Sequence, residues 1–293
     1  MKQKTTCPKC KALEIKKRGF RKTANRKKIQ RYECKKCCYA FVEDQGFWKM
    51  KNHEDKITAC MNMYYSGMSV RKIQSHLQMF APKNSHYSTI YRWLIKYAEM
   101  ISIITDNLQI ENGKELMSDE MEYKRLGKQN WFVDVMDTTT RYIIVSEFIK
   151  SRTLDDLTRV LKHGKRTVKN KVSMITTDCL NAYPQALRYS FHVNNTFKFG
   201  GRPIHNQVKA DERGFNHKIE RLHNTIRDRT KIMRGFHGSL ESAKSIMKGM
   251  EIYYNFVRKH QGIDNKTPQQ EAIPQLDLGL NKWLSLIRLS KKE

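Results

Sequence analysis

Three carboxylates and four thiols fall where they could hold metal. Asp119 follows the apolar pair Leu116 and Met117, Asp178 directly follows Met174-Ile175-Thr176-Thr177, and Glu220 lies within Asn216-His217-Lys218-Ile219-Glu220-Arg221-Leu222-His223. The first two read as acids carried to strand ends, where sites are built. The third reads as a helical acid, with Arg227 seven residues on along the same helical face. Hard oxygen ligands from two strands and a helix suit a pair of Mg²⁺ (or Mn²⁺) ions, because carboxylates neutralise the metals and leave positions open for phosphate and water. Asp134 and Asp137 are rivals for the first acid, one inside a second strand and one in a hairpin turn. Cys7-Pro8-Lys9-Cys10 and Cys34-Lys35-Lys36-Cys37 are two C-x2-C pairs separated by 23 residues. Four thiolates fill the Zn²⁺ tetrahedron and leave no open position, so this set is structural. Cys38 could stand in for Cys37, while Cys60 and Cys179 read as small buried residues.

The chain that carries these groups has 293 residues, with 56 Lys and Arg against 29 Asp and Glu, a formal net charge of +27. Such an excess points to a polyanionic partner. The basic residues run throughout rather than gathering on one amphipathic helix or tail, which argues against a membrane surface as that partner. No run approaches ~18 apolar residues, and Met1-Lys2-Gln3-Lys4 leads into a cysteine pair rather than an apolar signal core. An intracellular, soluble protein is expected. Five of the seven cysteines lie in the first 38 residues, and the odd total is not a disulfide framework.

Residues 16–22 and 26–33 read as two strands joined by a polar turn at 23–25, a hairpin too small to hold itself without metal. Ile57, Met61, Tyr64 and Tyr65 recur at helical spacing until Gly67; Ser69 caps a second helix bearing Val70, Ile73 and Leu77. After a turn containing Pro82, Ser85 or Ser88 opens a third helix bearing Ile90, Trp93, Leu94 and Tyr97. Three such helices suggest a helix-turn-helix whose third helix puts Ser88, Thr89, Arg92 and Lys96 toward DNA. The competing reading is a plain three-helix connector with Trp93 in its core. Farther on, residues 116–120, 130–136 and 142–148 read as adjacent strands, 151–161 as a helix, 172–177 as a strand and 181–189 as a helix. That βββαβα order indicates an α/β layer with a mixed sheet. Long helical stretches follow at 211–233 and 240–260. The expected division is a zinc ribbon at 1–45, a helix-turn-helix domain at 46–106, a catalytic domain at 107–275 and a basic C-terminal tail at 276–293.

From Met117 to Thr267 the chain resembles the catalytic domain of the DDE transposases of bacterial and archaeal insertion sequences. The resemblance is carried by Ser118-Asp119-Glu120, by Thr176-Thr177-Asp178-Cys179-Leu180-Asn181-Ala182-Tyr183, and by Asn216 to Arg221 with Arg227 beyond. The tail Tyr253-Tyr254-Asn255-Phe256 to Gly262, with Asn265-Lys266-Thr267-Pro268, is also similar. Leu116-Met117-Ser118 and Met121 depart from the family, in which Trp often precedes the first acid and Thr follows the Asp-Glu pair. The resemblance implies an RNase H-like, retroviral-integrase-type fold and Mg²⁺-dependent cleavage and transfer of DNA strands at Asp119, Asp178 and Glu220, with Arg227 holding a phosphate. It also implies terminal repeats and target duplex as partners, a homodimer or higher oligomer on DNA, and a nucleoid-associated cytoplasmic location in a prokaryotic cell. His205, His217 and His223 are candidates to position DNA. Three rivals differ in kind: a non-catalytic DNA-binding regulator, a nuclease of the same fold without strand transfer, and an RNA-binding zinc-ribbon protein, the last favoured if aromatic residues line an exposed sheet face.

Overall fold

The computed structural model describes residues 5–23, 27–80, 85–193, 202–209, 217–233 and 235–291. Near the N-terminus, β1 (Ile15–Thr23), β2 (Lys27–Cys34) and β3 (Ala40–Val42) form an antiparallel sheet in that order. The third strand is not foreseen, because three residues are too few to show alternation. One cysteine pair precedes β1, and the other begins on the last residue of β2. Most of the expected hairpin turn lies outside the described residues.

Three helices follow: α1 (Glu54–Tyr65), α2 (Val70–Gln78) and α3 (Tyr87–Thr105). Ser69 caps α2 as expected, its side chain accepting from the Lys72 amide at 3.3 Å. The cap of α3 is His86 rather than Ser85 or Ser88: its Nδ1 accepts from the Ser88 amide at 3.3 Å. The turn with Pro82 lies outside the described residues. The apolar faces meet in the core, where Ile57, Met61, Tyr65, Ile73, Ile90, Leu94 and Tyr97 are fully buried. Trp93 is buried with them.

A second, mixed sheet comprises β4 (Glu115–Arg125), β5 (Lys128–Asp137), β6 (Ile143–Ile149), β7 (Met174–Thr177) and β8 (Ile204–Gln207), in the order β6-β5-β4-β7-β8. The first three strands are antiparallel neighbours, while β7 runs parallel to both β4 and β8. Leu126 and Gly127, both at positive φ, close the β4–β5 hairpin, as a two-residue turn matched to strand twist requires. Between these strands run α4 (Leu154–Thr167) and α5 (Tyr183–Phe191), and after them α6 (His217–Thr230), α7 (Leu240–Ile252), α8 (Pro268–Ala272) and α9 (Lys282–Leu289). This is the RNase H-like arrangement expected, with β8, α8 and α9 beyond the elements read from the sequence. Residues 211–216 of the expected long helix lie outside the described residues, and the 240–260 helix ends in a π-helical turn at Tyr253–Val257.

One apolar core runs from Phe47 through the helices and the large sheet to Ile287. The segment expected as a basic tail contributes to it: Trp283, Leu286 and Ile287 of α9 are buried, and Trp283 stacks on Tyr65 of α1 at 5.4 Å. Its amphipathic spacing, not its charge, governs its place. Gly249 of α7 is required by the same junction, since a Cβ there would lie 1.8 Å from the Tyr65 hydroxyl.

Candidate active site

Strand register brings the first two acids together. Met117 of β4 stands beside Thr176 of β7 in a parallel pair, so two residues farther along each chain Asp119 comes abreast of Asp178. Asp119 is thus mid-strand rather than at a strand end, because the polar run after Glu120 continues β4 to Arg125. Asp178 follows the last residue of β7, and its Oδ1 accepts from the Leu180 amide at 3.0 Å. A third carboxylate joins them from an unexpected position: oxygens of Asp119, Glu120 and Asp178 lie within 4.8 Å of one another.

Alternation along β4 sends Asp119 and Glu120 to opposite faces of the sheet. On the α5 side, Glu120 accepts from Arg152 at 2.7 Å and from the Tyr183 hydroxyl at 2.8 Å, and the Arg152 guanidinium lies over the Trp131 ring at 3.9 Å. On the α6 side, cross-strand pairing sets Asp119, Asp134 and Ser146 in one row, under His223 of α6. The Asp119 Oδ1 accepts from the Glu120 amide at 2.9 Å, and its Oδ2 lies 3.5 Å from the His223 Nδ1. The other ring nitrogen, Nε2, is 3.0 Å from Asp134 Oδ2, and Ser146 Oγ donates to Asp134 Oδ1. Asp119 is therefore fixed at both oxygens, one of them by a chain of buried polar groups ending on β6.

Burial raises the Asp119 carboxyl to about 6; His223 and the Glu120 amide oppose that rise, while the charges of Glu120 and Asp178 add to it. Burial, then Asp178, also raises Glu120 against the pull of Arg152 and Tyr183. Burial works against a charged His223, yet the bond to Asp134 and the charges of Asp134 and Asp119 outweigh it and lift the imidazole above its ordinary value. Carboxylates that resist ionisation beside one another are a site prepared for positive charge.

Glu220 occupies the first turn of α6, exposed, and its oxygens are not among the converging set. It is one turn before His223, which faces Asp119, so the helix directs this part of its surface toward the acids. Arg227, also exposed, lies one turn after His223 and donates to Asn224 at 3.3 Å. Of the rival acids, Asp137 is fully buried and closes the β5–β6 turn by accepting from the amides of Thr140 and Gly113 at 2.8 and 3.0 Å. Asp134 supports His223. Of the candidate histidines, His223 is buried within the protein, and His205 is half-buried, 2.8 Å from the Thr177 hydroxyl. His217 is exposed at the start of α6.

The sulfurs of Cys7, Cys10, Cys34 and Cys37 also lie within 4.8 Å of one another, at 3.6 Å for Cys7 to Cys37 and 3.5 Å for Cys10 to Cys34. Zinc fits this set, since sulfurs about 2.3 Å from a tetrahedral ion stand about 3.8 Å apart. Burial opposes the Cys7 thiolate, but the amides of Cys10 and Lys9 and the adjacent thiols draw it down to about 6. Cys38 is exposed outside the cluster, Cys60 is buried, and Cys179 is exposed rather than buried as expected. On α3, Arg92 and Lys96 are exposed one turn apart, while Ser88 and Thr89 are half-buried.

The model of the DDE domain of IS240-type transposases matches residues 113–260, the span that contains every one of the acids above. The chain belongs to the DDE transposases. It is by that membership an enzyme of the DNA transposase and nuclease class. Solved structures similar to it include two of retroviral proteins. The HTLV-2 integrase catalytic core domain in complex with magnesium is 15% identical, over 55% of this chain and 97% of that one, with a TM-score of 0.40. The simian T-cell lymphotropic virus intasome in complex with PP2A regulatory subunit B56 gamma is 12% identical, over 73% of each chain, with a TM-score of 0.38. No curated protein matches the sequence. No helix among the described residues is long and apolar enough to cross a membrane.

Proposed function

We propose that this DDE transposase binds the terminal repeats of an insertion sequence and, as an oligomer, cleaves the element ends and joins them to target DNA. The observation that carries the proposal is the convergence of Asp119 and Asp178 from adjacent parallel strands beneath α6. Asp119, Asp178 and Glu220 would hold divalent metal, Mg²⁺ or Mn²⁺. Glu120 is less suited to that task, because Arg152 and Tyr183 already engage both its oxygens. A metal pair bound there supplies Lewis acidity and an activated oxygen nucleophile for in-line displacement at phosphorus.

The chain's own residues prepare that displacement. The Glu120 backbone amide and the His223 ring fix the angle of the Asp119 carboxylate, one at each oxygen, and the Leu180 amide fixes Asp178. Arg227 offers a phosphate contact along α6. Arg92 and Lys96 of α3, with Ser88 and Thr89 nearer the axis, form the reading edge of the helix-turn-helix, and the charge of +27 supplies affinity for any duplex. The four cysteines would hold zinc and thereby the ribbon. A prokaryotic cytoplasm, with the protein on the nucleoid, is the proposed location, since it holds the DNA on which this chemistry would act. The test is an incubation of the protein with Mg²⁺, labelled element ends and a target plasmid: joined products are expected. Cleaved ends without joining would make it a nuclease only, and binding without cleavage would make it a regulator.

A further inference from the structure

The ribbon has a face that neither zinc nor the folding of the sheet explains. The strand register sets Tyr32 of β2 opposite Lys17 of β1 and Phe41 of β3, and, past a bulge, Phe20 opposite Gln30 and Lys22 opposite Lys28. Directly paired residues share a face, so Phe20, Tyr32 and Phe41 lie among Lys17, Lys22 and Lys28. The rings form a row: Tyr32 and Phe41 stack at 5.8 Å with 30° between planes, and Phe41 and Tyr39 at 6.3 Å with 12°. Phe20 is 62% and Tyr39 44% exposed, while Tyr32 and Phe41 are half-buried. The acid of the hairpin, Glu33, is on the other face, 2.7 Å from Lys16 and 2.8 Å from Arg18.

One exposed Phe is ordinary, but Phe20 on the same face as the row of three rings makes an aromatic patch, and such a patch marks an interaction surface. Lysines interleaved with the rings do not suit a protein interface core, from which Lys is depleted. They suit a polyanion whose own flat groups can lie on the rings. In duplex DNA the base faces are covered by their neighbours, so a row of near-parallel aromatic planes finds partners only on unpaired bases.

We propose that this face of the ribbon is a stacking platform for unpaired DNA bases, with the lysines following the backbone of the strand. The choice of DNA, and of a strand freed beside the cut at an element end as its source, rests on the transposase reading above. Phe20 and the Tyr39–Phe41–Tyr32 row stack bases, and Lys17, Lys22 and Lys28 neutralise phosphates.

The test uses the full zinc-loaded chain and fluorescence anisotropy with labelled oligo-dT, oligo-U and duplex DNA, each about 12 nucleotides long, which is within the site size of such surfaces. Phe20→Ala and Tyr39→Ala alter exposed positions, and zinc content checks that the ribbon remains intact. Each is expected to weaken oligo-dT binding about fivefold or more while leaving duplex binding unchanged. Lys17→Ala and Lys22→Ala are expected to weaken oligo-dT binding and flatten its salt dependence. Unchanged oligo-dT binding in both aromatic variants, or equal losses on oligo-dT and duplex, would overturn the proposal. Tighter binding to oligo-U than to oligo-dT would overturn it in favour of RNA. Loss of catalysis in Asp178→Asn with oligo-dT binding intact separates this inference from the active-site reading, and a wild-type chain that never cleaves DNA would sink that reading, and with it the element end as source of the strand, while the oligo-dT measurements still decide the platform.

Discussion

His223→Ala is expected to harm the protein twice, through stability and through metal affinity. Asp134 is fully buried, and its oxygens have two partners, the Ser146 hydroxyl and the His223 imidazole at 3.0 Å. Removing the imidazole leaves one oxygen of a buried carboxylate without a donor, a change that costs about 3–5 kcal/mol. Against a typical domain stability of about 5–15 kcal/mol, and with a urea slope of about 2 kcal/mol/M, the midpoint should fall by about 2 M. His223→Gln keeps a donor of similar reach, and Asp134→Asn removes the buried charge that needs one, so each should cost less. Because the two residues act through one hydrogen bond, the double variant should lose less than the sum of the singles. In the folded state, Asp119 Oδ2 loses the ring 3.5 Å away that holds its angle, and support of this kind is worth about 10–100-fold in metal affinity. Urea titration and Mn²⁺ calorimetry on the DNA-free protein read the two effects separately. A His223→Ala protein within about 1 kcal/mol of wild type, binding Mn²⁺ unchanged, would refute the reasoning.

Elemental analysis is expected to find one zinc per chain; Cys38→Ser should retain it and Cys37→Ser should lose it, since only Cys37 joins the cluster. Arg92→Ala and Lys96→Ala should weaken binding to element ends more than to random duplex in competition gel shifts, whereas equal losses would make α3 a backbone contact alone. His163 is raised from 6.5, first by its bond to Glu147 at 3.1 Å. A raised imidazole stabilises the fold fully below its unfolded value and loses that contribution as pH rises through the folded one. His163→Ala should therefore be less stable than wild type at pH 6, by roughly 0.5 kcal/mol for a half-buried, solvent-screened pair, and the gap in urea midpoints should close as pH is raised.

What the sequence made legible was local. The two cysteines of each pair are three residues apart on a single turn, so their spacing alone announces the cluster, and the helix faces of Ile57, Ile73 and Leu94 follow from periodicity. Asp178 was readable because Met174 to Thr177 ends in a polar break. Long-range pairing was not readable. An acid inside the apolar run Val133-Asp134-Val135 signals a buried partner, but that partner, His223, is 89 residues away. Glu120 looked like the neighbour of a catalytic acid, and only the parallel pairing of β4 with β7 brings it to Asp178. Burial of Cys179 is the expectation because thiols are usually buried, whereas here the chain emerges at the strand end and leaves it exposed. The α9 segment was read by charge when Trp283, Leu286 and Ile287 fix its place.

The most direct measurement is Mg²⁺-dependent cleavage of a labelled element end by Asp119→Asn, Asp178→Asn and Glu220→Gln, each beside a DNA-binding measurement, with Glu120→Gln and Asp137→Asn as comparisons. Replacing a metal-holding carboxylate by its amide preserves size and removes charge. The account predicts that the first three lose cleavage and keep DNA binding, while the Glu120 and Asp137 variants retain measurable cleavage. Full activity in Asp119→Asn or Asp178→Asn would contradict it, and so would cleavage that depends on Glu120 but not on Glu220.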